Sequence, residues 1–177
     1  MIRVLVSACL LGEKVRYNGA DARCPAAVLA GWAAEGRLVP FCPEVAGGLG
    51  VPRPAAEIQG GDGGAVLAGT AAVRTKDGRD LTPQFQGGAR LALEQARLAG
   101  ARVAVLKEGS PSCGSGAVYD GTFSGRRQAG RGVTAALLEE NGVRVFSETQ
   151  LDEAAAYVAS LEDEGGVQIY GPRDRGR

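Results

Sequence analysis

Four cysteines and no histidine set the chemistry open to this 177-residue chain. Cys9, Cys42 and Cys113 each come soon after an apolar run and each open a turn-forming stretch, "CLLG", "CPEVAGGLG" and "CGSG". Cys24 differs, standing directly before Pro25 and a helical pattern. Without histidine, a Ser-His-Asp triad, a Cys-His dyad, a His-ligated zinc and a histidine base are all excluded. Three convergent thiolates suit an iron–sulfur cluster with three Cys ligands and one iron left open to a substrate. Core or loop thiols, and a zinc site drawn from all four cysteines, are the competing structural readings.

Other polar residues gather near the same cysteines. Glu44 lies two residues past Cys42, where a carboxylate serves as general acid or base beside a cluster ligand. Ser110 and Ser112 flank Pro111 just before Cys113, and Ser7, which precedes Cys9, is a candidate for binding substrate. Arg53, between two prolines, is a candidate for an anion or for pairing with Glu57. Asp120, in "YDG", is a candidate for binding substrate, although the pair Asp120-Gly121 is also a natural turn, as is Asn18-Gly19. The glycines at 47, 48 and 50 follow a strand pattern but open no helix, so they make neither a P-loop nor a dinucleotide fingerprint.

The elements that must position these residues alternate along the chain. Residues 2–8 read as a buried strand, 25–36 as a helix, 37–42 as a strand limited by Pro40, and 43–70 as a long Gly- and Pro-rich loop. Asp77-Gly78 suggests a small ribbon over 72–81. A helix over 82–100 has Thr82 as cap, Pro83 in the first turn and Gly100 at its end. A strand (102–107), a helix (132–141), a strand (143–147) and a last helix capped by Thr149 complete the order. That alternation predicts one α/β domain over 1–164: a mainly parallel, open, Rossmann-like sheet, with helices on both faces. The tail 165–177 reads as flexible. In open parallel sheets ligands bind beyond the carboxyl ends of the strands, which puts Cys9, Cys42 and Cys113 on one edge. Residues 43–60 are expected to wall that site.

Lys plus Arg and Asp plus Glu each number 20, which argues against a strongly electrostatic RNA or membrane binder. No apolar run approaches the ~18 residues of a membrane span. Unpaired thiols and no leader pattern point to the cytoplasm.

The blocks "VSACLLGEKVRYNG", "PFCPEVAGGLGVPRPAAEI", "VLKEGSPSCGSGAVYDGTFSG" and "GVTAALLEENGVRVFSE" resemble, in order, the signature segments of the thiouracil desulfidase family, over about residues 2–150. Gly109 departs from it, standing where the family carries a basic residue. The resemblance implies a 4Fe-4S cluster on Cys9, Cys42 and Cys113 whose open iron takes the sulfur of a thiolated pyrimidine. It implies proton transfer by Glu44 and substrate binding or orientation by a serine of the "SPSC" block, Ser110 or Ser112. The substrate implied is a small thiolated base or nucleoside, thiouracil or 4-thiouridine in type. The balanced charge favours these over RNA, and the protein is expected as a monomer or homodimer. The alternatives are a cluster-dependent sulfur transferase or lyase on another small molecule, and a non-enzymatic cluster or zinc protein.

Overall fold

The computed structural model describes residues 1–166; the expected tail lies, beyond residue 166, outside the described residues. In chain order the first half holds β1 (Arg3–Ser7), a 3-10 turn (Ala8–Leu11), α1 (Ala27–Ala34), β2 (Leu38–Phe41), α2 (Pro43–Ala46), β3 (Ala56–Gln59), α3 (Gly63–Leu67) and β4 (Ala72–Thr75). The second half holds α4 (Thr82–Ala99), β5 (Ala101–Leu106), β6 (Ala117–Tyr119), β7 (Arg127–Ala129), α5 (Val133–Glu140), β8 (Arg144–Ser147) and α6 (Leu151–Gly166).

Four strands form a parallel sheet in the order β2-β1-β5-β8. Successive side chains of a strand point to opposite faces, and here both faces are covered, as parallel sheets require. Val4, Val6, Val103 and Val105 pack with Leu29 and Trp32 of α1 and Ala154, Val158 and Leu161 of α6. Leu5, Ala104, Leu106 and Val145 pack with Ala92, Leu93 and Ala96 of α4 and Ala135 and Leu138 of α5. Pro40 is tolerated because β2 is an edge strand.

The expected elements are present, with four differences. The stretch 43–70 is not one loop: it contains α2, β3 and α3. These are four or five residues long and too broken by Gly and Pro to show a period. The ribbon at 72–81 forms differently, since β4 pairs antiparallel with β3 (Ile58 opposite Val73), while Asp77-Gly78 turns the chain back only to an isolated bridge between Arg74 and Asp80. A second ribbon, β6 with β7, covers 117–129. Thr82 is the first residue of α4 rather than its cap, and its hydroxyl accepts a hydrogen bond from Val73 N. A third apolar cluster, Ile58, Val66, Val73, Leu81, Phe85 and Val133, fastens the first ribbon and α3 to α4 and α5.

The connection after β1 runs to β2 on one side, and β5 lies on the other side with β8 beyond it. The strand order therefore reverses between β1 and β5, and a crevice opens at the carboxyl ends of these strands.

Candidate active site

A cavity of ≈ 290 Å³ fills that crevice, and Cys9, Cys42 and Cys113 all line it. Cys9 lies in the turn after β1, Cys42 directly after β2, and Cys113 in the loop after β5. Parallel register puts Ser7 level with Phe41, so Cys9 and Cys42 leave the sheet side by side. Cys113 and Cys9 are 6% and 8% exposed. Burial pushes the Cys9 thiol up to about 11, with ionised Cys42 adding to the shift. Burial raises Cys42 and, most strongly, Cys113; the Ser7 hydroxyl opposes the rise at Cys113, and Cys42 and Cys9 add to it. The three groups are thus near enough to repel one another as thiolates. Cys24 is not in the described lining of the cavity; it is half-buried against the apolar cluster that also holds Cys9.

This donor set fits a cluster. Desolvated thiols with raised pKa values keep their protons until a metal takes the protons' place. Among the described residues, no three Cys, Asp or Glu side chains gather tightly enough to hold one ion.

Close backbone approach builds both halves of the site. Gly88 of α4 lies against Pro43 of α2, where a Cβ would stand inside van der Waals contact with the Pro43 carbonyl oxygen. Gly47 meets the Gln84 carbonyl in the same way. On the other side, a Cβ on Gly132 would strike the Ser112 carbonyl and Cys113 N. The first turn of α5 then docks on the cysteine loop: Val133 N donates to Pro111 O, and Thr134 N to Ser112 O.

Ser110 and Glu44 meet across the cavity. The Ser110 hydroxyl donates to Glu44 Oε1 at 3.3 Å, while Ser112 N and Cys113 N each donate to Ser110 Oγ at 3.1 Å. A carboxylate, an oriented hydroxyl and three thiols therefore share one enclosure.

Residues 4–150 match the sequence model of a family described as 2-thiouracil desulfurase. The chain belongs to the 2-thiouracil desulfurase family. It is 47% identical over 150 residues to the uncharacterized protein YbbK of Bacillus subtilis (strain 168), covering 85% of this chain and 98% of that one. It is also similar to the solved structure of the 4Fe-4S-dependent thiouracil desulfidase TudS. That match has a TM-score of 0.84 and 48% identity, over 90% of this chain and 99% of that one.

Among the residues singled out in this desulfurase-family sequence, Cys9, Cys42, Cys113, Glu44, Ser110, Ser7 and Arg53 line the cavity. Ser7 is buried, and its hydroxyl oxygen accepts a hydrogen bond from Lys107 N at 3.0 Å. Arg53 pairs with Glu44 and not with Glu57; Glu57 Oε2 instead accepts from Phe123 N. Ser112 and Asp120 stand apart from the described lining. Ser112 is fully buried, with its hydroxyl 2.8 Å from Thr134 Oγ1. The Asp120 carboxylate accepts from Thr122 N and pairs with Arg126, holding its own hairpin turn.

Arg16, Tyr17, Lys107, Glu108, Tyr119 and Arg127 also line the cavity and escaped the sequence reading. Tyr119 and Arg127 are neighbours on the β6–β7 ribbon, the guanidinium lying 5.1 Å from the ring centroid. The signal for them is the turn "YDGTFSG" between two short β-prone runs. The expected wall holds: Pro43, Glu44, Leu49, Arg53 and residues 54–57 form one side of the cavity.

Proposed function

We propose that this chain is a 4Fe-4S-dependent desulfidase that hydrolyses the carbon–sulfur bond of a thiolated pyrimidine of the thiouracil or 4-thiouridine type. The observation that carries this reading is the convergence of Cys9, Cys42 and Cys113 on one cavity that also holds the Ser110–Glu44 pair. Family membership and the likeness to a protein named as a thiouracil desulfidase support it.

Cys9, Cys42 and Cys113 hold the cluster; when bound, it supplies a Lewis acid at the iron without a protein ligand, toward which the substrate's sulfur is soft enough to turn. Glu44 accepts a proton as water adds to the ring carbon. The Ser110 oxygen is fixed by two backbone N–H groups, so its hydroxyl proton points along one line, and that line reaches Glu44. Ser110 therefore keeps Oε1 of Glu44 turned into the cavity, in the orientation that accepts the proton. Phe41, Leu49, Leu81 and Phe85 give the cavity apolar walls that limit water to the reacting molecule. In the net reaction the C–S bond breaks and a C–O bond forms to water oxygen. The sulfur keeps the bonding electrons and leaves with two protons as hydrogen sulfide, so no oxidant or reductant is consumed. The substrate is a free base or nucleoside, and the reducing cytoplasm suits the unpaired thiols.

Anaerobic reconstitution tests the reading. The chain is expected to turn brown with about four irons bound and to release sulfide and uracil in equal amounts from 4-thiouracil. Cys42→Ser loses iron and turnover together, and Cys24→Ser loses neither. A fully loaded protein that releases no sulfide from thiouracils or 4-thiouridine overturns it.

A further inference from the structure

We infer that Arg53 is a positioning residue that acts through Glu44, fixing its carboxylate in the orientation the reaction uses, and that it is not itself a substrate-binding group. The inference rests on the desulfidase reading for its consequence in turnover. Its geometry stands without it.

Arg53 lies on a stiff stretch between Pro52 and Pro54, and its side chain is 6% exposed. Every part of the guanidinium has a partner. Nε donates to Glu44 Oε2 at 2.8 Å, and Nη2 lies 2.8 Å from the same oxygen. Nη1 donates to Gly50 O at 3.1 Å and Nη2 to Val15 O at 2.9 Å. Its backbone N donates to Tyr17 O at 2.8 Å. One arginine thus ties together the 15–17 loop, the 50–54 turn and α2. A guanidinium offers five donors in a rigid plane, and four of these bonds point to oxygens of the protein. One N–H of Nη1 is left over, so an anionic substrate could not take the two-pronged grip of the fork without displacing protein oxygens.

The division of the Glu44 carboxylate is the decisive feature. Oε2 belongs to Arg53, while Oε1 faces Ser110 and the cavity. The carboxylate plane is therefore set from one side by arginine and from the other by serine. Without Arg53, α2 has only four residues, and no side-chain bond other than that of Ser110 is recorded for Glu44 among the described residues. Its side chain is then free to leave the line that reaches Ser110. A misplacement of about 1 Å at a reacting group costs on the order of 10²-fold in rate.

Arg53→Met keeps the apolar stem and removes the head, and Arg53→Lys keeps the charge without the planar fork. Each is purified anaerobically beside the native chain, Glu44→Gln and the double variant Arg53→Met/Glu44→Gln. Iron content, dissociation constant for uracil, kcat and KM are measured. We expect full iron content, unchanged uracil binding, and kcat down by roughly 10²-fold with KM within a few-fold. Arg53→Lys recovers part of kcat. In the Glu44→Gln background, Arg53→Met costs nothing further, because both changes remove the same group. A loss that adds fully to that of Glu44→Gln, or one that falls on KM and uracil binding, overturns the assignment. Crystal structures of the apo variants decide it independently of turnover: Glu44 is expected to leave Ser110 in Arg53→Met, and an unmoved Glu44 overturns it. If the native loaded chain releases no sulfide, the desulfidase reading falls, and the Glu44 conformation alone still tests Arg53.

Discussion

The segments that bear Cys42 and Cys113 reach the same cavity by opposite means. Cys113 sits in a loop held mainly by its own sequence neighbours, with the first turn of α5 docked on it. The Glu108 carboxylate accepts from the backbone N–H groups of Gly109, Ser115, Gly116 and Ala117 and from the Ser115 hydroxyl, and Ser110 Oγ gathers two more N–H groups. Cys42 opens a four-residue helix with little to hold itself. That helix is placed by Gly88 and Gly47 at the crossing with α4, and its carboxylate by Arg53. One arm carries most of its hydrogen bonds within ten residues and adds the dock on α5, while the other borrows its whole placement from α4. The local arm is a matter of hydrogen bonds and charge, and the borrowed arm is a matter of shape.

The largest expected effect comes from the chemistry carried by the borrowed arm. Glu44→Gln is expected to keep iron content and absorbance but lower sulfide release from 4-thiouracil by ~10²–10⁴-fold, the usual contribution of a positioned acid or base. Because the change is nearly isosteric, α2 stays docked on α4. Turnover within a few-fold of native would move the proton transfer to another group.

Next in size is Gly88→Val, which attacks the shape of that arm directly. The new side chain meets the Pro43 carbonyl, a backbone atom that cannot rotate away. Overpacking of this kind costs typically ~1–3 kcal/mol, measured here by urea unfolding. Since α2 must move, iron content is expected to fall as well, although residue 88 touches no cysteine sulfur. Full iron loading in a destabilised Gly88→Val would show that the borrowed arm tolerates displacement.

The same contrast governs what the sequence reveals. Cys9, Cys42 and Cys113 were legible because each follows soon after an apolar run and the strand–helix alternation implies a parallel sheet, whose ligand edge follows from topology. Glu44 and Ser110 were legible by adjacency to those cysteines. The partner of Arg53 was not, because Glu44 and Glu57 are both near it in sequence and only the path of residues 43–57 in space selects one. The elements α2, β3 and α3 were hidden for the same reason: they are too short for periodicity, and contacts distant in sequence stabilise them, β3 and α3 through Phe85, Leu81 and Val133 and α2 through its close approach to α4. Tyr119 and Arg127 entered the cavity through a ribbon whose strands are three residues each. Asp120 was drawn toward substrate by its type, but the local bond to Thr122 N shows the turn chemistry prevailing.

Glu108→Gln tests the local arm, with an expected loss of about 1.5–3 kcal/mol, the range for a hydrogen bond to a charged group. Burial acts to raise the Glu108 pKa, but the donors from Ala117, Gly109, Gly116 and Ser115 outweigh it, and the net shift is downward from 4.5. A depressed carboxylate contributes stability that is present above its unfolded value and lost as pH falls through the folded one. The stability gap between native and Glu108→Gln should therefore hold from neutral pH to about 4.5 and narrow below it. A gap independent of pH down to full protonation would mean that the carboxylate's charge is not what holds the loop.

The smallest effect separates two serines that sequence alone leaves equivalent. Ser112 is fully buried, and its hydroxyl pairs with Thr134 Oγ1 at 2.8 Å where α5 meets the loop. Ser110 instead faces Glu44. Ser112→Ala strands the Thr134 hydroxyl in an apolar setting, so it should cost about 1 kcal/mol or slightly more. Removing both hydroxyls, in Ser112→Ala/Thr134→Val, should restore most of that stability, since an unpaired buried group costs more than an absent pair. Turnover per loaded site should stay near native in both variants. Ser110→Ala should do the reverse, with modest change in stability and a clear drop in kcat. Equal rate losses in Ser110→Ala and Ser112→Ala would show that the loop responds as one unit, and that its hydrogen bonds, rather than the position of a single hydroxyl, set the geometry opposite Glu44.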